Sequence, residues 1–298
     1  MGSARFGRVL TAMVTPFAAD GGMDLDGAAD LARWLVAHGS DGLVVSGTTG
    51  EGPTLSDDEK VELWTAVRAA VDVPLLAGSG SNDTRHTIHL SERAAATGVD
   101  GLLVVAPYYN KPSQAGFEAH FRAVAAAVDS PIVIYDIPGR TGRKVDTDVL
   151  TTLANEVPTI VGLKDAAGNP GETAQLIARA PADFDVWSGD DPMTLPLLAV
   201  GAVGVIGTAT HWCGAQMGEL VSAFEKGDHD RARELNESLF ESYWYESREH
   251  AQFALAVKVA MRCLGLPSGP CRLPIGPEPD GLEAEAQAML DRLGRPGS

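Results

Sequence analysis

Cysteine is scarce in this chain of 298 residues: Cys213, Cys263 and Cys271 make three, an odd number with no CxxC spacing. That supports neither a disulfide framework nor a structural zinc site, and it suits a reducing, cytoplasmic setting. Basic residues are few as well, 23 Lys and Arg against 40 Asp and Glu, for a formal net charge of −17. Such a balance argues against nucleic acid or an anionic membrane surface as partner. An anionic substrate has to be drawn by local cations instead. No apolar run reaches the length of about 18 residues that a membrane span needs, and Met1–Phe6 lacks the long apolar core of an export signal. The seven histidines are dispersed. Only His86 and His89, with Glu92, share a helical face, so no metal site is expected. Gly78-Ser-Gly80 lacks the third glycine of a dinucleotide fingerprint and reads as a turn.

What the chain does have is 45% hydrophobic residues, dealt out in short apolar runs that alternate with helical patterns. Strands are expected at 9–14, 42–46, 74–77, 101–106, 132–135, 159–163, 185–188 and 203–207. Between them, helix starts are marked by Asp24, by the capping box Ser56-Asp-Asp-Glu59, by Asn82 or Asp83, by Ser113 and by Asp146. Eight strand–helix units in one unbroken series are the pattern of an α/β protein with a (β/α)₈ TIM barrel, expected to occupy residues 1–226. From 227 to 298 the pattern is helical only, with helices at 230–247, 250–264 and 281–293 and a proline-rich connector at 265–279.

Residues 160–165 read Ile-Val-Gly-Leu-Lys-Asp, a buried-strand run closed by a lysine. A lysine there can snorkel to solvent. It can also serve as a desolvated amine that attacks carbonyls. Its company favours chemistry, because barrel active sites sit at the C-terminal ends of the strands. Those ends carry Thr15, the Gly47-Thr48-Thr49-Gly50-Glu51 loop, Tyr108 and Tyr109, Tyr135 with Arg140 just beyond, Lys164, Gly189-Asp190-Asp191 and Ile206. Lys164 is the one lysine that ends a strand. The Gly-Thr-Thr-Gly amides and hydroxyls suit a carboxylate, and a guanidinium is the best fork for another. Asp190 and Asp191 are read as a helix N-cap pair.

At these positions, and from about residue 7 to 276, the sequence resembles the pyruvate-dependent class I aldolases of the dihydrodipicolinate synthase and N-acetylneuraminate lyase superfamily. The motifs that carry the likeness are Gly47–Glu51, Pro107-Tyr-Tyr-Asn-Lys-Pro112, Tyr135-Asp-Ile-Pro-Gly-Arg-Thr-Gly142, Gly162-Leu-Lys-Asp165 and Ser188-Gly-Asp-Asp191. The Tyr-Tyr-Asn-Lys-Pro run, the Arg140-Thr-Gly segment and Arg272-Leu-Pro-Ile-Gly276 resemble the branch that condenses pyruvate with L-aspartate 4-semialdehyde, the entry to lysine through diaminopimelate.

The resemblance implies a Schiff base on Lys164, a proton relay of Thr48, Tyr109 and Tyr135, and no cofactor. It implies Thr49 on the pyruvate carboxylate, Arg140 on the semialdehyde carboxylate, and Gly189 and Ile206 facing the substrate. It further implies a homotetramer in which Tyr109 enters the neighbouring subunit's site. A sugar-acid or sialic-acid aldolase of the same superfamily stays open, as does a non-catalytic barrel that binds a keto acid. Two departures stand out. Asp136 replaces the asparagine of many relatives, with little effect expected because its side chain points away from that of Tyr135. Lys60 and His86 lie where lysine-inhibited relatives bind the effector, so weak or absent lysine inhibition is expected.

Overall fold

Runs that are apolar at nearly every position belong in a parallel sheet covered on both faces. The computed structural model, which describes residues 3–248 and 250–294, places eight such strands. They are β1 (Val9–Ala12), β2 (Gly42–Val45), β3 (Leu75–Gly78), β4 (Gly101–Val105), β5 (Ile132–Asp136), β6 (Ile160–Asp165), β7 (Asp185–Ser188) and β8 (Gly204–Gly207). They follow one another in sequence order as a closed barrel, the (β/α)₈ architecture expected from the repeat.

The helices are α1 (Leu25–Ala37), α2 (Asp57–Ala70), α3 (Thr84–Ala95), α4 (Gln114–Ala127), α5 (Pro138–Thr141), α6 (Thr147–Glu156) and α7 (Pro170–Arg179). They continue with α8 (Thr194–Ala199), α9 (Thr210–Glu225), α10 (His229–Ser238), α11 (Phe240–Glu246), α12 (Phe253–Cys263) and α13 (Leu282–Leu293). Their starts are chemically specified. Asp24 accepts from the Gly27 amide at 2.8 Å, and the Ser56–Glu59 capping box is formed in both directions. Asp146 stands at the start of α6 without a side-chain cap.

Two differences from the sequence-based expectation have local causes. The single helix expected over 230–247 is broken at Leu239, whose amide is shared between the Leu235 and Asn236 carbonyls at 3.2 and 3.3 Å. Apolar spacing runs through the break as Leu235, Leu239 and Tyr243, all buried, so periodicity does not reveal it. The short helix α5 was not expected. Pro138 fits its first turn, and Gly142 ends it at φ +79°, a left-handed conformation that glycine adopts readily.

The chain forms two compact units: one of Pro74–Ile206 with the leading residues up to Arg8, the other of Val9–Val73 with the chain from Gly207 onward. The boundary expected at 226 falls in the turn between α9 and α10. In the first unit, the β5–β6 pairing sets Tyr135 beside Lys164 and Asp136 beside Asp165. Strand alternation sends the two pairs to opposite faces of the sheet. Gly204 lies so close to the Arg8 carbonyl that a Cβ would sit 1.9 Å from its oxygen. In the second unit, buried aromatics keep their polar atoms bonded: Trp64 Nε1 donates to Ser46 Oγ at 2.8 Å, Trp212 Nε1 to Ser242 Oγ at 3.0 Å and Tyr245 OH to the Ala256 carbonyl at 2.9 Å. Among the described residues no helix is long and apolar enough to cross a membrane.

Candidate active site

Lys164 is the fifth residue of β6 and is buried, 5% exposed. Its Nζ stands 4.4 Å from the centroid of the Tyr135 ring, itself 6% exposed on β5. The two are strand neighbours in register, so barrel geometry and not a flexible loop sets their spacing. Gly189, just after β7, completes the arrangement. A Cβ at that position would lie 2.9 Å from Lys164 Cγ and 3.1 Å from Cε, so the missing side chain is the room the lysine stem occupies. The Gly189 amide donates to the Asp165 carbonyl at 2.7 Å, fixing that approach.

Asp190 is the group the sequence reading misplaced. It stands at the N-cap position of the short turn Asp191–Met193, but its side chain caps nothing there. Its carboxyl is held above the usual carboxylate range by burial, against the pull of the Lys164 ammonium. The Lys164 charge thus acts on the Asp190 carboxyl. Its sequence neighbour Gly189 was the available signal, and the N-cap habit of aspartate masked it.

Behind the Lys164–Tyr135 pair, Asp136 and Asp165 face α6 and α7, where they line a cavity with Thr147, Leu150, Thr173 and Leu176. Thr173 Oγ1 donates to Asp165 Oδ2 at 2.6 Å, and the Val145 amide donates to Asp136 Oδ1 at 3.3 Å. Lys144 Nζ reaches Glu172 at 2.7 Å and Asp136 Oδ2 at 4.0 Å. Burial pushes the Asp136 carboxyl up to about 7, with Lys144 opposing and Asp165 and Glu172 assisting. As expected, the Asp136 side chain points away from Tyr135.

The remaining predicted residues take different positions. Tyr109 is 89% exposed with φ +72°, a left-handed tyrosine held out from its own unit. Arg140 is exposed on α5, while Ile206 is buried on β8. Thr48 and Thr49 follow β2 in the other unit, Thr48 half-buried and Thr49 3% exposed. Thr49 Oγ1 is 3.3 Å from Thr208 Oγ1. Thr208 in turn offers its carbonyl to His211 Nδ1 at 2.8 Å, and His211 Nε2 accepts from the Val14 amide at 3.1 Å. Sequence reasoning missed Thr208 and His211, because nothing in their spacing links them to Thr49. Among the described residues no three His, Cys, Asp or Glu side chains gather to hold a metal ion.

Known proteins share this arrangement's framework. The family model of the Dihydrodipicolinate synthetase family matches residues 5–293. A 4-hydroxy-tetrahydrodipicolinate synthase of Acidothermus cellulolyticus is 53% identical over 91% of this chain and 87% of its own. The crystal structure of dihydrodipicolinate synthase DapA-2 from Bacillus anthracis superposes with a TM-score of 0.93 at 39% identity, covering 98% of this chain and 99% of that one. The enzyme from Cyanidioschyzon merolae, solved with lysine bound, gives a TM-score of 0.94 at 39% identity, covering 97% of this chain and 98% of that one. This chain belongs to the dihydrodipicolinate synthetase family.

Proposed function

We propose that this protein is a lyase of the class I aldolase type that condenses pyruvate with L-aspartate 4-semialdehyde to 4-hydroxy-tetrahydrodipicolinate. The observation that carries the reading is the buried Lys164 amine 4.4 Å from the Tyr135 ring, with Gly189 making room for its stem. The relatives' shared name supports the choice of substrates.

In this reading Lys164 Nζ adds to the keto carbon of pyruvate and water leaves, forming a protonated imine. That cation draws electrons from the methyl C–H bond; a proton departs and an enamine remains. The enamine carbon attacks the aldehyde of the semialdehyde, whose oxygen takes up a proton. The product amine then adds at the imine carbon, closing the ring and expelling Lys164. No metal or organic cofactor enters, since the iminium is itself the electron sink. Tyr135, beside the imine, passes the protons as general acid and base, in relay with Thr48 and with Tyr109 of a second subunit. Thr49 holds the pyruvate carboxylate, Arg140 the semialdehyde carboxylate, and Gly189 and Ile206 face the bound substrate. The working assembly is a homotetramer in the cytoplasm, a dimer of dimers. Lysine inhibition is weak or absent: Lys60 on α2 is a buried cation where an effector ammonium would have to approach, and assays in millimolar L-lysine should show undiminished rates.

Borohydride reduction in the presence of pyruvate tests the chemistry. An adduct mapped to Lys164, and its loss in Lys164→Ala, is the expected result. An unmodified Lys164 overturns the reading. Product formation with aspartate semialdehyde, and none from sugar acids or sialic acid, fixes the second substrate.

A further inference from the structure

The Gly47–Glu51 loop ends on an unusual residue. Glu51 is 1% exposed and adopts φ 55°, ψ 32°, a left-handed conformation that costs a non-glycine residue energy and persists only where surroundings enforce it. The enforcement comes from the far end of the chain. Glu51 Oε1 lies 2.5 Å from Lys258 Nζ on α12, and both side chains are 0% exposed. The two form a buried ion pair. Oε2 accepts from the Arg272 amide at 2.8 Å. Lys258 also donates to the Pro270 carbonyl at 2.8 Å and packs 4.1 Å over the Phe17 ring.

The loop itself has little slack. Thr15 Oγ1 donates to the Gly50 carbonyl at 2.6 Å, and the Gly52 amide bonds the Gly47 carbonyl at 3.0 Å. A Cβ on Gly50 would meet the Met13 carbonyl at 2.9 Å. The Glu51 amide also donates to the Thr48 carbonyl at 3.1 Å, so the Glu51 backbone is tied directly to Thr48 and, through the short turn, to Thr49. A buried ion pair is weak evidence of added stability, but losing one partner leaves an uncompensated charge that must move or find water. Here the group that would move is the end of the Gly-Thr-Thr-Gly loop.

We propose that Glu51 and Lys258 are positioning residues: their buried pair lets α12 and the 265–279 connector set the pose of the loop, and with it the affinity for the substrate carboxylate. This rests on the reading that Thr49 holds that carboxylate. Neither side chain touches the reacting atoms, so the proposal separates binding from chemistry. Lys258 is the cation in direct contact with the Glu51 carboxylate, which also accepts from the Arg272 amide.

The experiment is steady-state kinetics with pyruvate as the varied substrate, on the full-length protein. Lys258→Met should raise KM for pyruvate roughly tenfold while kcat stays within about twofold, since a small misplacement of a binding group is enough for such a loss. The Glu51→Gln, Lys258→Met double variant, which buries no unmatched charge, should recover most of the affinity. An unchanged KM in folded Lys258→Met, or a double variant as impaired as the single one, overturns the proposal. Lys258→Arg covers the case in which Lys258→Met does not fold: it keeps the charge but not the reach, and KM must rise with kcat retained. Thr49→Ala keeps the two ideas apart. If it leaves KM unchanged, the carboxylate assignment fails; if it raises KM and the Lys258 variants do not, only the positioning role fails.

Discussion

Asp136 and Asp165 stand side by side at the ends of β5 and β6, one residue beyond the Tyr135–Lys164 pair and on the opposite face of the sheet. Two carboxyls share a buried space with Lys144, Glu172 and Thr173, and one of them, Asp136, has its pKa pushed up to about 7. The same register that brings the amine to the tyrosine forces the two acids together.

The sign of the resulting pH dependence follows from linkage. The folded value of Asp136 lies above its unfolded value of about 4, so the native state holds an extra proton between those limits and loses stability as pH rises through them. Asp136→Asn removes that loss. Its stability advantage over the unsubstituted chain should grow between pH 4 and 8 by on the order of 3 kcal/mol, and urea denaturation at the two pH values measures it. An advantage that does not change with pH would contradict the buried, proton-holding role.

His211 runs the opposite way. It is fully buried, bonded at both nitrogens as the neutral ring, and burial pushes its pKa down to about 4. The unfolded chain takes up a proton below its ordinary value near 6.5 while the folded chain does not, so stability falls as pH drops through that window. His211→Gln should remove about 2 kcal/mol of the pH 7.5 to pH 5 loss, read as the difference between the two proteins' denaturation midpoints.

Gly189→Ala probes the space beside the lysine. The added methyl would stand 2.9 Å from Lys164 Cγ and 3.0 Å from Ala166 Cβ, so the stem must shift. We expect borohydride-trapped adduct to form roughly 10- to 100-fold more slowly, because a displacement below an ångström in an attacking group is costly. Circular dichroism should show the fold retained.

Tyr109 gives a test that needs no structural change. It projects into solvent from its own unit, 89% exposed, where the proposed assembly has it serve a second subunit. Lys164→Ala and Tyr109→Phe proteins are each impaired alone. Mixed after dissociation, they should recover about a quarter of full activity, since half the dimers are hybrids with one intact site of two. No recovery would place Tyr109 in its own subunit's chemistry or outside it.

Much of this was legible in the chain. Apolar runs at nearly regular intervals announced eight strands, and Ser56-Asp-Asp-Glu59 marked a helix start that forms as a capping box. The placing of Lys164 and Tyr135 at strand ends was legible because short apolar runs mark the strands they close. The environment of Asp190 was not, because aspartate before a helical turn ordinarily caps it, and only tertiary packing buries this one within reach of the Lys164 charge. The break at Leu239 was invisible because the buried apolar spacing continues across it.

By itself, then, the sequence determined the barrel, the order of its strands and the placing of a lysine at the end of the sixth, since periodicity and residue chemistry are local properties of the chain. Contacts between segments far apart in sequence were decided only by tertiary structure. The distance from Lys164 to Tyr135, the space that Gly189 leaves, the raised Asp136 carboxyl and the Glu51–Lys258 pair each depend on strand register or on packing between segments far apart in the chain. Burial and proximity set those energies, and no spacing along the chain encodes them.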